Sequence, residues 1–595
     1  MPSKTRPAKP RAAAEPDRPP TVAEDTPPTD DRAPAARPTS CRGAPAPRVK
    51  RSTAARRVAA AAHEATSLET RHRLRSLAEL VRQGAGDAQR AEFIEGSLAE
   101  CLDEAATAAP ADRWLTCEAV TWALAWMARA RRAGGSAGGL LERLVGAARA
   151  AEPLIADGDT LPARFVLTLA RLFRDIEACR RLEPGASGAV SGEIARLVSP
   201  GGVVNVAGGS AMVERVVRWT GFREVALATG QPAWDDAAET RWREAATVAA
   251  RLLGRRGRRI VAAGLMPSRS TAGLLEALAS LGGRRRRTVA ALRNSRSAGR
   301  GQLLRRDLHD DAAAVAILRS GWGSDDLRVL IDYRQAVPHL EIAVGDRLLV
   351  DGPWQWSITA AGSPLDAEGP WTVECWESDR RASLIELAAP LGGGRRLERQ
   401  VVMLPQERIV LLADAVTTPG QPPLTSPAVN GQASAPHLQY SATLRLAPGL
   451  DADPAAETRE VMVFDTTMRM LALPLALPEW RVGRGGRFDA TADGLSLAQE
   501  TAGPRLYAPL WLDCTPARIG RPLTWRQLTV ADTRVNLPTW QAAGFRVQSG
   551  LEQWLVYRAL DAPRNRTLLG CNVSCDFMIG RIRPRGDVKR MLEIQ

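Results

Sequence analysis

Apolar positions along this chain follow two different periods, and the change falls near residue 310. Before it, they recur every three or four residues. In 161–183, Phe165, Leu169, Leu172, Phe173 and Ile176 form one stripe, with Arg164, Thr168, Arg171 and Asp175 mainly off it. Pro162 suits a first turn, and Pro184-Gly185 reads as the end of that helix. Residues 112–133 behave likewise, with Leu115, Ala119, Trp122 and Trp126 on one face and Gly134-Gly135 as the stop. Further helices are predicted near 53–84, 87–107, 138–151, 236–253 and 271–281. They carry no fixed-length repeat, so antiparallel helices joined by short loops point to a bundle or an α/α toroid, not a solenoid. From 312 onward the runs are short, aliphatic and punctuated by Gly, Pro or Asp, as in LRVLIDY, HLEIAVGDRLLVDG and ERIVLLADAV. Twelve such runs in under 300 residues predict a large antiparallel sandwich. Within it, 340–344 and 347–351 flank Gly345-Asp346 as a hairpin with a two-residue turn.

Composition changes this picture mainly at the N-terminus. Residues 1–50 hold 12 of the 41 prolines and almost no large apolar side chain, so they cannot offset the entropy of ordering and read as a disordered tail. The formal charge of the chain is +14, and the first 60 residues, with 13 basic and 6 acidic groups, supply half of it. Only four of the 80 basic residues are lysine (Lys4, Lys9, Lys50 and Lys589), a bias that speaks of codon usage more than of nucleic acid. No aromatic side chains accompany the basic tail to stack on bases, so nucleic acid is not the expected partner. Neither a run of 18 apolar residues nor a secretory signal is visible, so no membrane partner and a cytoplasmic location are expected, with export left open.

Candidate chemistry is sparse. Eight scattered cysteines without a CxxC pair argue against a zinc ribbon, a redox motif or a disulfide scaffold. The Gly-rich stretch 199–210 lacks the Lys-Ser/Thr ending of a phosphate loop. Residues 284–306 carry nine arginines and no acid, which suits either a polyanion grip or a solvated connector. Asp310 and Asp311 after His309 read as a turn or cap.

Three segments carry a family resemblance. Ala316-Ile317-Leu318-Arg319-Ser320 with Gly321-Trp322, then 327–333, then His339 to Gly352 ending Leu348-Leu349-Val350-Asp351-Gly352, resemble the polysaccharide lyases of the heparinase II/III type. The match is best over 313–352. The resemblance implies a multi-domain α+β fold. After the 1–50 tail come an all-α, α/α toroid-like domain over 51–306 and a large antiparallel β-sandwich domain over 307–595. It also implies an acidic polysaccharide as partner and uronate β-elimination as the chemistry. That reaction needs a cation or metal against the carboxylate, a base for the C5 proton and an acid, often tyrosine, for the leaving oxygen.

The departures from the family are specific. Where it carries His-x-His-x-Asp, this chain has Asp332-Tyr333-Arg334-Gln335-Ala336. Asp351 matches a family metal ligand, but one carboxylate is not a metal site, so no cofactor is expected. Residues 1–332 contain no tyrosine, and the helical half has only His63 and His72. A relocated catalytic set would draw on Tyr333, Arg334, His339 and Glu341. Trp354 and Trp356 alternate onto one face and would stack on sugar rings if exposed. Three readings stand: recognition of an acidic glycan with degenerate catalytic and metal residues, an active lyase with a relocated site, and a non-enzymatic scaffold.

Overall fold

The computed structural model describes residues 48–86, 88–130, 137–260, 271–293, 301–419, 437–482 and 485–595. Residues 1–47 of the expected tail, the Gly134-Gly135 stop and Arg296 and Arg300 of the arginine run lie outside the described residues.

The described residues up to 293 are helical: α1 (Arg51–Glu64), α2 (Leu68–Gln83), α3 (Ala88–Ala105), α4 (Pro110–Ala130), α5 (Ala137–Ala156), α6 (Thr160–Leu172), α7 (Glu177–Arg180), α8 (Glu183–Leu197), α9 (Gly209–Thr229), α10 (Asp236–Leu252), α11 (Ala272–Ser280) and α12 (Gly283–Leu292). The helix expected over 161–183 stops at Leu172, and Pro184 stands in the first turn of α8 instead of ending its predecessor. A proline fixes φ and lacks an N–H, which suits a helix start as well as a position beyond an end. The stripe reading of α6 is also corrected, because all 13 of its residues are buried. Arg164 and Arg171 are paid for by partners: Arg164 Nε donates to Glu118 at 2.7 Å, and Arg171 Nε to Glu183 at 3.0 Å. Thr168 returns its hydroxyl to the Arg164 carbonyl at 2.8 Å.

The strands begin with β1 (Leu308–Asp310), β2 (Val315–Arg319), β3 (Leu327–Asp332), β4 (His339–Val344) and β5 (Arg347–Ala360), antiparallel neighbours in that order. The predicted hairpin is β4–β5, closed by the pairing of Val344 with Arg347 and with Gly345 at φ 63°. Beyond β5 this nine-stranded sheet continues through Leu438–Leu446, Gly494–Thr501 and Gly486–Thr491. Sheets of eight, five and four strands follow among the described residues. Alternate side chains of the nine- and eight-stranded sheets share one core, including Leu340, Ile342, Trp354, Val401 and Leu412. Further cores join the eight- to the five-stranded sheet and the five- to the four-stranded sheet.

The other face of β2 and β3 meets the helices. Ala313, Val315, Ile317, Trp322 and Leu330 belong to the helical core, which thus crosses residue 307. Arg319 and Arg328 complete the seam. Arg319 Nη1 donates to the carbonyls of Arg251 (2.8 Å) and Leu253 (2.9 Å), and Arg328 Nη1 to that of Leu253 (2.7 Å). Two cations thereby satisfy the open carbonyls at the C-terminal end of α10. Part of the arginine run is also tied to the fold, while Arg286, Arg293 and Arg305 are exposed. Arg285 Nε donates to Thr247 Oγ1 (2.7 Å), Arg287 Nε to the Gln302 carbonyl (3.0 Å) and Arg306 to those of Ser320 (2.8 Å) and Asp379 (2.7 Å).

Candidate functional site

Alternation along β4 and β5 decides which side chains meet. Leu340 and Ile342 enter the core between sheets, so His339 and Glu341 point out of the opposite face. Register places Glu341 beside Asp351 on β5. His339 Nε2 lies 3.2 Å from Asp351 Oδ1 and 3.5 Å from Glu341 Oε1. Asp351, expected to stand alone, therefore has two partners, and one ligand atom from each of the three lies within 4.8 Å of the others. The side chains are 30%, 15% and 38% exposed for His339, Glu341 and Asp351, so solvent reaches the cluster.

The Gly-rich stretch forms the wall of this site. Glu341 Oε1 accepts the Gly209 N–H at 2.8 Å, at the start of α9. A methyl group on Gly208 or Gly209 would lie 2.9 Å from a Glu341 oxygen, and Gly208 has φ 80°. Both glycines are thus required for the carboxylate to seat on the helix N-terminus, where the open N–H groups and the dipole favour a negative charge. Helix α9 lacks a side-chain cap of its own.

Asp351 and then Glu341 hold the His339 imidazole in its charged form up to about 9, against the opposing effect of burial. Nε2 is nonetheless buried without a hydrogen bond of good geometry to either carboxylate. One imidazole and two carboxylates, with an orphaned ring nitrogen between them, fit a divalent cation of the zinc type, which takes nitrogen and oxygen ligands. His339, Glu341 and Asp351 would hold it.

The other sequence candidates are placed differently. Tyr333 turns into the core between the sheets, away from His339 and Glu341, and is 4% exposed. Its hydroxyl lies 2.8 Å from His309 Nε2, and the Trp376 ring packs on that imidazole at 5.3 Å. Burial, then Asp311 and Asp310, raise the phenol, while burial lowers His309, so the pair is held by a hydrogen bond and not by charge. Tyr333 is therefore not part of the cluster. Tyr440, Tyr507 and Tyr557 are also buried. Arg334 does lie on the cluster's side of the strand, but its fork is taken. Nε donates to Asp332 Oδ1 at 2.8 Å, and Nη2 to the other Asp332 oxygen and to the Val206 carbonyl. Trp354 is 3% exposed, between the sheets, with the Arg399 guanidinium 3.8 Å from its ring centroid. Trp356 packs half-buried on the same core. Neither is the exposed sugar platform that alternation suggested, because both belong to the inward parity of β5. His63 and His72 are exposed on α1 and α2. Asp310 caps a turn, accepting the Ala313 N–H at 3.1 Å.

No helix among the described residues is long and apolar enough to cross a membrane. No family model matches the chain, and no curated protein matches it. Among solved structures it is similar to the heparinase III BT4657 gene product, with a TM-score of 0.52 and 8% identity over 82% of this chain and 84% of that one. It is also similar to a mutant of the heparan sulfate lyase HepC from Pedobacter heparinus (TM-score 0.51, 10% identity, 89% and 92% covered). A third likeness is to heparinase III (TM-score 0.50, 10% identity, 82% of each chain). The mixed fold, helices followed by antiparallel sheets, is thus shared with these heparinase structures over most of the chain.

Proposed function

We propose that this protein binds an acidic polysaccharide where β4 and β5 emerge beside α9, with His339, Glu341 and Asp351 as the centre of the site and a divalent cation as their partner. The observation that carries the reading is the convergence of these three side chains, partly exposed, on a fold shared with heparinase structures. Two carboxylates facing solvent repel a uronate unless positive charge stands between them. When bound, a cation supplies that charge against the sugar carboxylate. Glu341 fixes the wall of the site through Gly209, and Asp351 and His339 present the remaining donors.

Recognition is favoured over turnover by the fate of the tyrosines. With Tyr333 paired to His309 inside the core, no phenol stands at the cluster among the described residues to protonate a leaving oxygen. The test is calorimetric titration with zinc and manganese, followed by titration of the loaded protein with heparan sulfate, hyaluronan, alginate and heparin. Wild-type protein is expected to bind one cation, with affinity reduced at least tenfold in His339→Ala. Glycan binding should then depend on the cation. Binding of none of these glycans, loaded or metal-free, would end the reading. Ultraviolet absorbance from a new uronate double bond would move it from recognition to lyase activity.

A further inference from the structure

The face that carries the cluster continues beyond the helices. On β5, Gln355, Ser357 and Thr359 follow Asp351 with the same parity, opposite the core residues Trp354 and Ile358. Next to them, Gln439 pairs in register with Thr359 and Ser441 with Ser357. From Asp351 to Thr359 the strand covers about 26 Å, the length of several sugar rings. At its far end this face is concave, with a groove of about 480 Å³ lined by Ser357, Thr359, Gln439, Ser441, Arg487 and Glu500.

At the near end stands Arg445. The pairing of Leu444 with Trp354 and of Leu446 with Val350 leaves Arg445 opposite the Asp351–Pro353 stretch. A methyl group on Gly352 would lie 2.9 Å from Arg445 Cδ and 3.0 Å from its Cβ, so the arginine stem lies across this glycine. Arg445 is exposed and has no ion pair or hydrogen bond among the described residues. The other basic side chains near this face have acidic neighbours: Arg487 lies 3.4 Å from Asp489, and His437 lies 3.4 Å from Glu500.

We infer that Arg445 is the carboxylate-binding residue of an extended glycan groove, and that the Ser/Thr/Gln face beyond it carries neighbouring sugars through their hydroxyls. This rests on the function proposed above and adds the ligand's charge density and length. One unmatched guanidinium pairs one carboxylate bidentately. The face past it offers mainly neutral donors and acceptors, which suit hydroxyls, and the one arginine in its groove, Arg487, stands between acids, 3.4 Å from Asp489 and in the same groove as Glu500. The preferred ligand is therefore a carboxylated, unsulfated polysaccharide spanning several residues.

The test is calorimetric titration of the full chain with alginate and hyaluronan octasaccharides, the corresponding tetrasaccharides and a heparin octasaccharide. Wild-type protein is expected to bind an unsulfated octasaccharide more tightly than its tetrasaccharide and more tightly than heparin. Arg445→Ala should weaken that binding at least tenfold, and Arg445→Lys should restore part of it. Ser441→Trp, at an exposed position, should erase the advantage of the octasaccharide and leave the tetrasaccharide unchanged. If Arg445→Ala binds as wild type while His339→Ala does not, this inference is overturned and the broader function stands. Tighter binding of heparin overturns the neutral-face assignment. If wild-type protein binds no acidic glycan, both fall together.

Discussion

His339 shows how one residue's neighbours set its chemistry. Flanked by Asp351 and Glu341, it holds its proton up to about 9 and must release it to become a ligand. Cation affinity is therefore expected to rise between pH 6 and 9, with release of about one proton per ion, measurable by titration in buffers of different ionisation enthalpy. Arg399 makes the opposite case of a charge with no exposure. It pairs with Asp414 through Nε and Nη2, both at 2.8 Å, with both side chains fully buried. Removing one partner leaves an uncompensated buried charge, so Asp414→Ala should cost about 3–5 kcal/mol in denaturant unfolding. Trp354→Ala should lose a similar amount, about 3–5 kcal/mol, by leaving a cavity beneath that guanidinium. Any loss of glycan binding in Trp354→Ala should accordingly track unfolding.

Among the elements, α9 starts against a residue 132 positions away, Glu341. Its Gly208-Gly209 start was legible only as a break, and the helix itself was not foreseen. Gly221 and several β-branched valines lower its intrinsic propensity. Burial of Met212, Val216, Trp219 and Phe222 outweighs that cost. Gly221 has a packing reason, since a methyl group there would lie 2.5 Å from Arg164 Nη1. Glu341→Ala removes the carboxylate from the first turn of α9 and should cost about 0.5–2 kcal/mol in thermal unfolding. Glu341→Gln should recover part of this through its remaining acceptor. Gly209→Ala should destabilise comparably and weaken cation binding, because the added methyl displaces Glu341. The segments that carried the family resemblance prove to be joinery. Arg319 closes α10, Ser320 Oγ accepts the Leu327 N–H at 2.8 Å, and Trp322 Nε1 donates to the Leu304 carbonyl at 3.2 Å.

Across the whole molecule, many ion pairs are buried or half-buried, and acid should find them. Burial works against the charged forms of Asp112, Glu239, Glu398 and Asp465, but donors around each outweigh it and hold all four below the ordinary range. Asp465 falls to about 2 through Arg469, the Thr467 N–H and Arg347. A carboxylate depressed by folding stabilises above its unfolded value and loses that contribution as pH falls through the folded one. Thermal stability should therefore hold from pH 7 to about 5 and drop steeply between about 4 and 2. In chelator, His339 adds the opposite slope, since its contribution is complete below about 6.5 and is lost towards 9. His339→Ala should flatten that alkaline limb alone.

What the sequence determined by itself was the order of periods: helices, then short antiparallel strands, with a two-residue turn at Gly345-Asp346. Side-chain patterning acts locally, through burial of every third or fourth residue or every second one, so it survives in one dimension. It also named His339, Glu341 and Asp351, though not as one cluster. Only the tertiary structure decided which parity of β3, β4 and β5 faces the helices. That parity sends Tyr333 and Trp354 inward and His339, Glu341, Asp351 and Arg334 outward. Both faces of β3 are buried, Leu327, Val329 and Ile331 between the sheets and Arg328, Leu330 and Asp332 against the helices, and a polar face that is itself covered reads in sequence like one open to solvent. The role of Gly208-Gly209 and the unmatched Arg445 arose the same way, from contacts between residues more than 90 positions apart.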